Sequence, residues 1–484
     1  ATDILNLAAQ DITLKTSSKE TKTAGFDINS KVAAEAGAEA DASKIYNAKA
    51  GAKAGANLGV GVRANTEKET STEGSVTNVT ASFKSGGNFT RKATNTIVDQ
   101  GTQIEAGGDI NQSAREIKEI EANDVSFSSK NSSSQDTKIG IGAGAFAKAT
   151  GSPTSGTESG AGAGAGLRAK NTESIDSDSQ STTAAVTTKY KSGGSITSKS
   201  EDKTTLIGSQ FEAGGDIDIV AGSLDYKAAK DTTSMSSAAN KVDVDYKVNV
   251  VGKVGASLGA SYGNEGENGS TIKARTGSMN AGGNVTIKTT GDASLEGTQI
   301  EATDRADIAA GGSVDLKAAR DTAESSKTSI DASVELRTSK GGMGAAASAG
   351  SSQEDSSSST AQTVSIKAGS GGININAGKD ASFEGSELKS DGDTVVDAVG
   401  NVNRNAAENI ETKASSDVKG TIGVKKKSLD TKKASFSKSA ASVNKVELKA
   451  TNIESDGALI IKGKNIVDQE TGIQAEVSRS YGPK

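Results

Sequence analysis

The sequence predicts an all-β protein: a right-handed parallel β-helix (solenoid) with long β-hairpin or extended arms inserted once per repeat. One observation is a motif that returns four times, as GTQIEAGGDI from Gly101, GSQFEAGGDI from Gly208, GTQIEATDRA from Gly297 and GSELKSDGDT from Gly385. Another is that apolar and polar residues alternate with period two around each motif, which is typical of short strands. Short strands with glycine corners stack as solenoid coils, because each coil covers the apolar side that its neighbour leaves exposed.

Glycines mark the predicted corners of the coils. Each motif glycine follows a glycine pair at nearly constant distance, with 14 or 15 residues from the first glycine of the pair. The predicted corner glycines are Gly86, Gly87, Gly101, Gly193, Gly194, Gly208, Gly282, Gly283, Gly297, Gly371, Gly372 and Gly385.

The repeats predict a single array over residues 1–484 in place of separate globular domains. Because its beginning and its end read like parts of repeats, we expect a segment of a longer protein. We expect coils at about 1–16, 85–129, 191–232, 281–322, 369–411 and 444–475, and arms at about 17–84, 130–190, 233–280, 323–368 and 412–455. Stacking also explains how a chain with 33% hydrophobic and 3% aromatic residues folds.

Composition excludes several classes of function. The 55 basic and 61 acidic residues are evenly mixed, so we expect no nucleic-acid partner, which would need a basic stripe with stacking aromatics. The chain has no cysteine and no histidine, which removes thiolate nucleophiles, imidazole bases and the usual zinc sites. We expect no small-molecule cofactor and no metal.

A carbohydrate-active enzyme remains an alternative, because parallel β-helices also carry polysaccharide lyases and hydrolases. The candidate acid and base residues are Asp304, Arg305, Asp307, Asp391 and Asp393. Both groups fall at corners where other copies have Gly-Gly-Asp, so turn chemistry already accounts for them. No single place in the sequence stands out as breaking the repeat symmetry, and we therefore predict a non-enzymatic protein without catalytic residues.

The arms admit two interpretations. Small, polar and glycine-rich strands have little to bury, so the arms could lie along the rod or in solvent. Alternatively, their nine to eleven alternating residues match the length of a strand that crosses a bilayer, and the arms then pair edge to edge in or on an outer membrane. Under the second interpretation the candidate membrane-contact residues are Ile139, Ile141, Ala143, Phe146, Leu167, Val242, Val244, Tyr246, Val248 and Val250.

The fullest repeat, AGGNVTIKTTGDASLEGTQIEA from Ala281, resembles the haemagglutinin repeats of filamentous haemagglutinin and of the exoproteins of contact-dependent growth inhibition. The resemblance implies a two-partner-secreted protein on the surface of a Gram-negative bacterium, exported through an outer-membrane transporter. It further implies a stalk that engages the outer membrane or a surface receptor of a neighbouring cell and helps to deliver a toxin. An adhesin filament shaft for host or cell–cell attachment is the first alternative, and the carbohydrate-active enzyme is the second.

Overall fold

The fold is given by a computed structural model. It describes the backbone of residues 5–14, 17–39, 50–152, 156–249, 255–339, 342–425, 432–469 and 477–481. Side chains are described for residues 64–140, 166–248, 255–338, 342–424 and 434–469. Within these ranges all regular secondary structure is β-strand, and the strands lie in three sheets.

Two parallel sheets form a rod of stacked coils, which confirms the predicted parallel β-helix. A full coil contributes one strand to a nine-stranded sheet and then two strands to an eighteen-stranded sheet. The strands of the nine-stranded sheet are β4 (Ser82–Ser85), β6 (Gln103–Ala106), β11 (Lys189–Ser192), β14 (Gln210–Ala213), β19 (Ser278–Ala281), β22 (Gln299–Ala302), β27 (Ser365–Ala368), β30 (Glu387–Ser390) and β35 (Asn452–Ser455).

The eighteen-stranded sheet supplies the other two sides of each coil. Its strands are β1 (Leu5–Leu14), β5 (Phe89–Gln100), β7 (Ile110–Ala114), β8 (Glu116–Ile120), β12 (Ile196–Ser200), β13 (Lys203–Ile207), β15 (Ile217–Ala221), β16 (Ser223–Lys227), β20 (Val285–Thr289), β21 (Ala293–Glu296), β23 (Arg305–Ala310), β24 (Val314–Lys317), β28 (Gly372–Ala377), β29 (Ala381–Glu384), β31 (Thr394–Ala398), β32 (Val402–Asn405), β36 (Leu459–Lys462) and β37 (Ile466–Gln469).

The core of the rod consists of stacks of identical or similar side chains. Ile287 pairs in register with Ile219 of the coil before it and with Ile308 of the coil after it, and all three are fully buried. Alternation along each strand turns every second side chain inward, so each strand gives the core only two or three side chains. A thin but continuous core results, which is how a chain so poor in aromatics buries enough apolar surface.

The arms form the third sheet, which has eleven antiparallel strands. Its strands are β2 (Ser17–Glu39), β3 (Ala50–Val79), β9 (Ala122–Ser152), β10 (Gly156–Val186), β17 (Ala229–Asn249), β18 (Gly255–Arg275), β25 (Ala319–Ser339), β26 (Gly342–Gln362), β33 (Ala407–Lys425), β34 (Lys432–Lys449) and β38 (Val477–Tyr481). Each hairpin leaves the rod after every second coil, and consecutive hairpins pair with one another.

The spacing of the coils explains why the arms pair. Two stacked coils advance the rod by about 9.6 Å, since strands lie about 4.8 Å apart. A two-stranded hairpin occupies the same width in a sheet. One arm for every two coils therefore places each hairpin at hydrogen-bonding distance from the next.

Carboxyl and amide side chains join neighbouring arms at the arm root, which is the point where an arm leaves the rod. The carboxylate of Asp231 accepts a hydrogen bond from the backbone N–H of Ala185 at 2.7 Å, across the junction between β17 and β10. Equivalent bonds at the other junctions join Asp124 to Asn78, Asp321 to Ala274 and Asn409 to Ala361. The bond recurs once per repeat and holds the arms in one sheet where they leave the rod.

Candidate functional site

The arm sheet has two chemically different faces. Residues directly paired in an antiparallel sheet lie on the same face. One such row runs across five arm strands through Tyr246, Leu258, Leu336, Ala345 and Val424. The residues one step along each strand lie on the opposite face, where Lys247, Ser257 and Arg337 stand in one row.

The first face carries large apolar side chains in the half of the sheet that is distant from the rod. We call these residues the apolar band. It consists of Ile139, Leu167, Ile175, Val242, Val244, Tyr246, Leu258, Tyr262, Ile330, Val334, Leu336, Met343, Ile422, Val424 and Phe436, which are all exposed. Closer to the rod the same face becomes polar, as at Thr328 and Gln353.

The opposite face is charged, and several of its charges form ion pairs. Arg168 lies 2.9 Å from Asp245, and Lys170 lies 3.4 Å from Asp243. The pairs are partly solvent-exposed, so each contributes little to stability and mainly keeps this face hydrated. The sheet is therefore amphipathic, with one apolar and one charged side in its distal half.

The structure places five of the predicted contact residues in the apolar band. Ile139, Leu167, Val242, Val244 and Tyr246 are between 38% and 52% exposed. Val248 lies on the same face and is half-buried. The side chains of Ile141, Ala143 and Phe146 lie outside the described residues, although their backbone belongs to β9. Val250 also lies outside the described residues.

Sequence reasoning missed the part of the band that later arms contribute. Leu258, Val334 and Leu336 on β18 and β25 belong to it, as do Ile422 and Phe436 on β33 and β34. The signal was present in the alternation of TSIDASVELR from Thr328. What the alternation alone did not give is the register that puts these residues on one face with Tyr246.

The motif glycines lie where the arms leave the rod. Gly101, Gly208, Gly297 and Gly385 have φ between 57° and 62°, a left-handed conformation that glycine adopts without strain. A Cβ at Gly208 would lie 2.7 Å from Cγ2 of Thr187 and 2.8 Å from Cβ of Ala229. These two residues flank Gly208 at the end of one arm and at the start of the next, so no side chain fits between the two arm roots.

The glycine pairs occupy a different corner, between the nine-stranded sheet and the first strand of the eighteen-stranded sheet in each coil. The pairs are Gly86 and Gly87, Gly193 and Gly194, Gly282 and Gly283, and Gly371 and Gly372. A Cβ at Gly193 would lie 2.4 Å from the carbonyl oxygen of Gly107 in the coil below. The absence of a side chain here lets successive coils stack at strand spacing.

Of the candidate acid and base residues, Asp304 lies at the corner before β23, Asp391 and Asp393 lie at the corner before β31, and Arg305 and Asp307 lie in β23. Arg305 pairs with Asp307 at 2.9 Å, and the carboxylate of Asp393 accepts a hydrogen bond from the backbone N–H of Ala458 at 2.7 Å. The coil that contains β28 lies between the two groups, so stacking alone separates them by about 10 Å. Asp393 is thus engaged in joining one coil to the next, as the turn interpretation expects.

One place in the rod does break the repeat symmetry, contrary to the sequence analysis. Arg91 forms a two-pronged ion pair with Asp99, in which Nη1 lies 2.8 Å from Oδ1, and both side chains are fully buried. The hydroxyl of Tyr190 donates to Asp99 at 2.6 Å, and the guanidinium Nε donates to Gln112 at 3.0 Å. Gln112 in turn donates to Glu119 at 3.3 Å.

This buried polar cluster holds one guanidinium and two carboxyl groups. The pKa of Glu119 is raised to about 7, mainly by burial and secondly by the negative charge of Asp99. A signal existed in the sequence, because Arg91 stands three residues after Asn88, where the repeat from Ala281 has Ile287 three residues after Asn284. Since Arg91, Asp99 and Glu119 have no exposed surface, no substrate reaches them, and the cluster is part of the rod's interior.

Two further kinds of site were sought. Among the described residues, no group of three or more aspartates and glutamates is placed to hold a metal ion. The described part of the chain also contains no helix that is long and apolar enough to cross a membrane.

Comparison with known proteins identifies the repeats. The model of the family described as Hemagglutinin repeat matches residues 62–174, 169–331 and 271–420, which together span most of the chain. Searches of curated proteins and of solved structures gave no match. The family is a structural and adhesin repeat, and it indicates a repeat region of a secreted or cell-surface exoprotein of the two-partner-secretion type. With three overlapping matches on a parallel β-helix whose motif recurs four times, the chain belongs to the hemagglutinin repeat family.

Proposed function

We propose that this chain is the stalk and the target outer-membrane-engaging region of a Gram-negative exoprotein that delivers a toxin by cell contact. The rod is the stalk, and the arm sheet makes the contact. The observation that carries the proposal is the apolar band, because it gathers large exposed side chains from eight arm strands onto one side of one sheet.

The dimensions of the band suit a lipid surface. It extends over about 27 Å along the strands, from the row of Leu167 and Met343 to the row of Ile175 and Ile330, at about 3.4 Å per residue. The hydrocarbon core of a bilayer is about 30 Å thick. The charged side chains of the opposite face, such as Arg168 and Lys247, remain available to water or to lipid headgroups.

An adhesin shaft is the second candidate, and the outer surface of the nine-stranded sheet favours it. Exposed ion pairs join successive coils there, with Lys84 3.0 Å from Glu105 and Lys191 2.6 Å from Glu212. Such a surface is well solvated and suits a filament that only displays a binding tip.

Flotation with vesicles made of outer-membrane lipids tests the proposal. The chain with Leu258→Asp and Val334→Asp places two charges in the apolar band, while Ser257→Asp and Ser333→Asp place the same charges on the opposite face of the same strands. We expect the unaltered chain and the Ser variant to float. The Leu258/Val334 variant should bind at least tenfold more weakly, which corresponds to about 1.4 kcal/mol.

Failure of the unaltered chain to float with these vesicles or to make them leak would contradict the membrane proposal and leave the shaft. Binding to whole outer membranes but not to protein-free vesicles would point to a surface receptor. Equal loss in both double variants would show that charge, not the apolar band, controls binding.

A further inference from the structure

The apolar band is large for a surface that faces water. It spans eight arm strands from β9 to β34, about 38 Å at strand spacing, and about 27 Å along the strands. The outline of the band therefore encloses about 1,000 Å², including some polar positions, whereas the largest apolar patch of a soluble monomer is about 300–600 Å². Exposure of such a surface to water is unfavourable, so we expect it to be covered.

We infer that, away from lipid, the apolar band is covered by the apolar band of a second copy of this chain. The inference concerns the state in water and does not rest on the proposed function. Its first support is area, since a stable interface of standard size buries about 800 Å² on each partner. The outline of the band encloses that amount on one face of one sheet, with polar residues such as Asn171 and Asn240 among the apolar ones.

The polarity of the sheet supports the same arrangement. Two sheets pack face to face about 10 Å apart when each has one apolar and one polar side. The arm sheet has this pattern in its distal half, with Val334 and Leu258 on one side and Ser333 and Ser257 on the other. Among the described residues that pair within the four most distal rows of the band, the charged ones are Glu173 and Lys432.

The position of the band permits the contact without collision of the rods. Because the band occupies the distal half of the arms, two copies can overlap their bands with the arm tips pointing in opposite directions. A two-fold axis that lies between the two sheets and runs perpendicular to the strands then places the rods at opposite ends of a shared two-layer sandwich. In this isologous contact each strand faces its own copy, and the central row through Val244, Ala260 and Val334 faces itself.

The mass of the chain in lipid-free buffer tests the inference. Sedimentation of the 484-residue chain should show a rise from 48.5 kDa to twice that mass as concentration increases. Leu258→Asp with Val334→Asp should weaken self-association at least tenfold, and Ser257→Asp with Ser333→Asp should not. A monomer at every concentration, or a dimer that is unaffected by charges in the band, would overturn the inference.

Cross-linking provides a second measurement that does not depend on the charged variants. The chain has no cysteine, so a single introduced thiol reports one position. A short bismaleimide should join two copies of Val334→Cys and should not join copies of Ser333→Cys on the opposite face. Equal cross-linking of both would contradict the two-fold contact. If the chain dimerises in buffer but does not float with vesicles, only the proposed function is contradicted. If it floats with vesicles but stays a monomer in buffer, only this inference is contradicted.

Discussion

At the residue scale, the position of a recurring residue in the rod determines its structural role. The motif glycines are required because they lie between two arm roots and have positive φ, as Gly208 shows. The buried ion pair of Arg91 and Asp99 replaces residues that are isoleucine and leucine in later coils, where Ile287 and Leu295 stand. Single residues thus determine where the arms leave the rod and where the core contains a buried ion pair.

Replacement of a motif glycine should destabilise the arm root. In Gly208→Ala the new Cβ meets Thr187 and Ala229 below 3 Å and holds a strained φ, so we expect a loss of about 1–3 kcal/mol in the free energy of unfolding. Gly263→Ala is the matched control, because its Cβ would have no heavy atom within 4 Å. Urea unfolding followed by circular dichroism measures both. Equal losses in the two variants would contradict the steric explanation.

The pKa of Glu119 predicts a pH dependence of stability. Its value of about 7 in the folded chain lies above the ordinary 4.5, so the unfolded chain releases this proton first as pH rises. The contribution of Glu119 is therefore most favourable below about pH 4.5, falls between about 4.5 and 7, and is constant above. The full loss is about 3 kcal/mol, because one pKa unit corresponds to about 1.4 kcal/mol.

Comparison of Glu119→Gln with the unaltered chain isolates this effect. The amide keeps the shape of a protonated carboxyl and does not ionise, so the variant should gain stability relative to the parent at about pH 8 and little at about pH 5. Glu116→Gln, on the same strand and paired with Lys118 at the surface, should not reproduce that gain. A constant difference at both pH values would show that Glu119 does not titrate in this range.

At the element scale, the strands of the rod and of the arms share an alternating sequence pattern but differ in which of their faces are buried. A rod strand such as β20 alternates buried and partly exposed residues, because the core lies on one side of it. An arm strand such as β18 has no such alternation of burial, since both of its faces meet solvent. What joins the arms is the backbone ladder and the root bond from Asp231 or Asp321.

At the scale of the whole molecule, the match between coil spacing and hairpin width determines the arm sheet. Duplication of a single coil, residues 189–209, would move the next arm by about 4.8 Å along the rod. We expect the rod to continue and the sheet to part between β10 and β17, with faster amide exchange in both strands. The register between Leu167 and Val248 would be lost.

The control for this experiment is duplication of a whole repeat, residues 189–277, which adds two coils and one arm. The arm sheet should then stay continuous, because the match of spacings is kept. If the single-coil variant also retained protection in β10 and β17, the spacing argument would be wrong.

The sequence by itself determined the fold class, the glycine corners and the existence of one arm per repeat. These follow from local patterns, since period-two alternation and glycine at turns act over a few residues. Tertiary structure alone decided that Tyr246, Leu258, Leu336 and Val424 share one face, because their register depends on hydrogen bonds between arms that are far apart in sequence. It also decided that Arg91 and Glu119 are joined through Gln112 inside the rod, since Arg91 reaches Gln112 only when one coil stacks on the next.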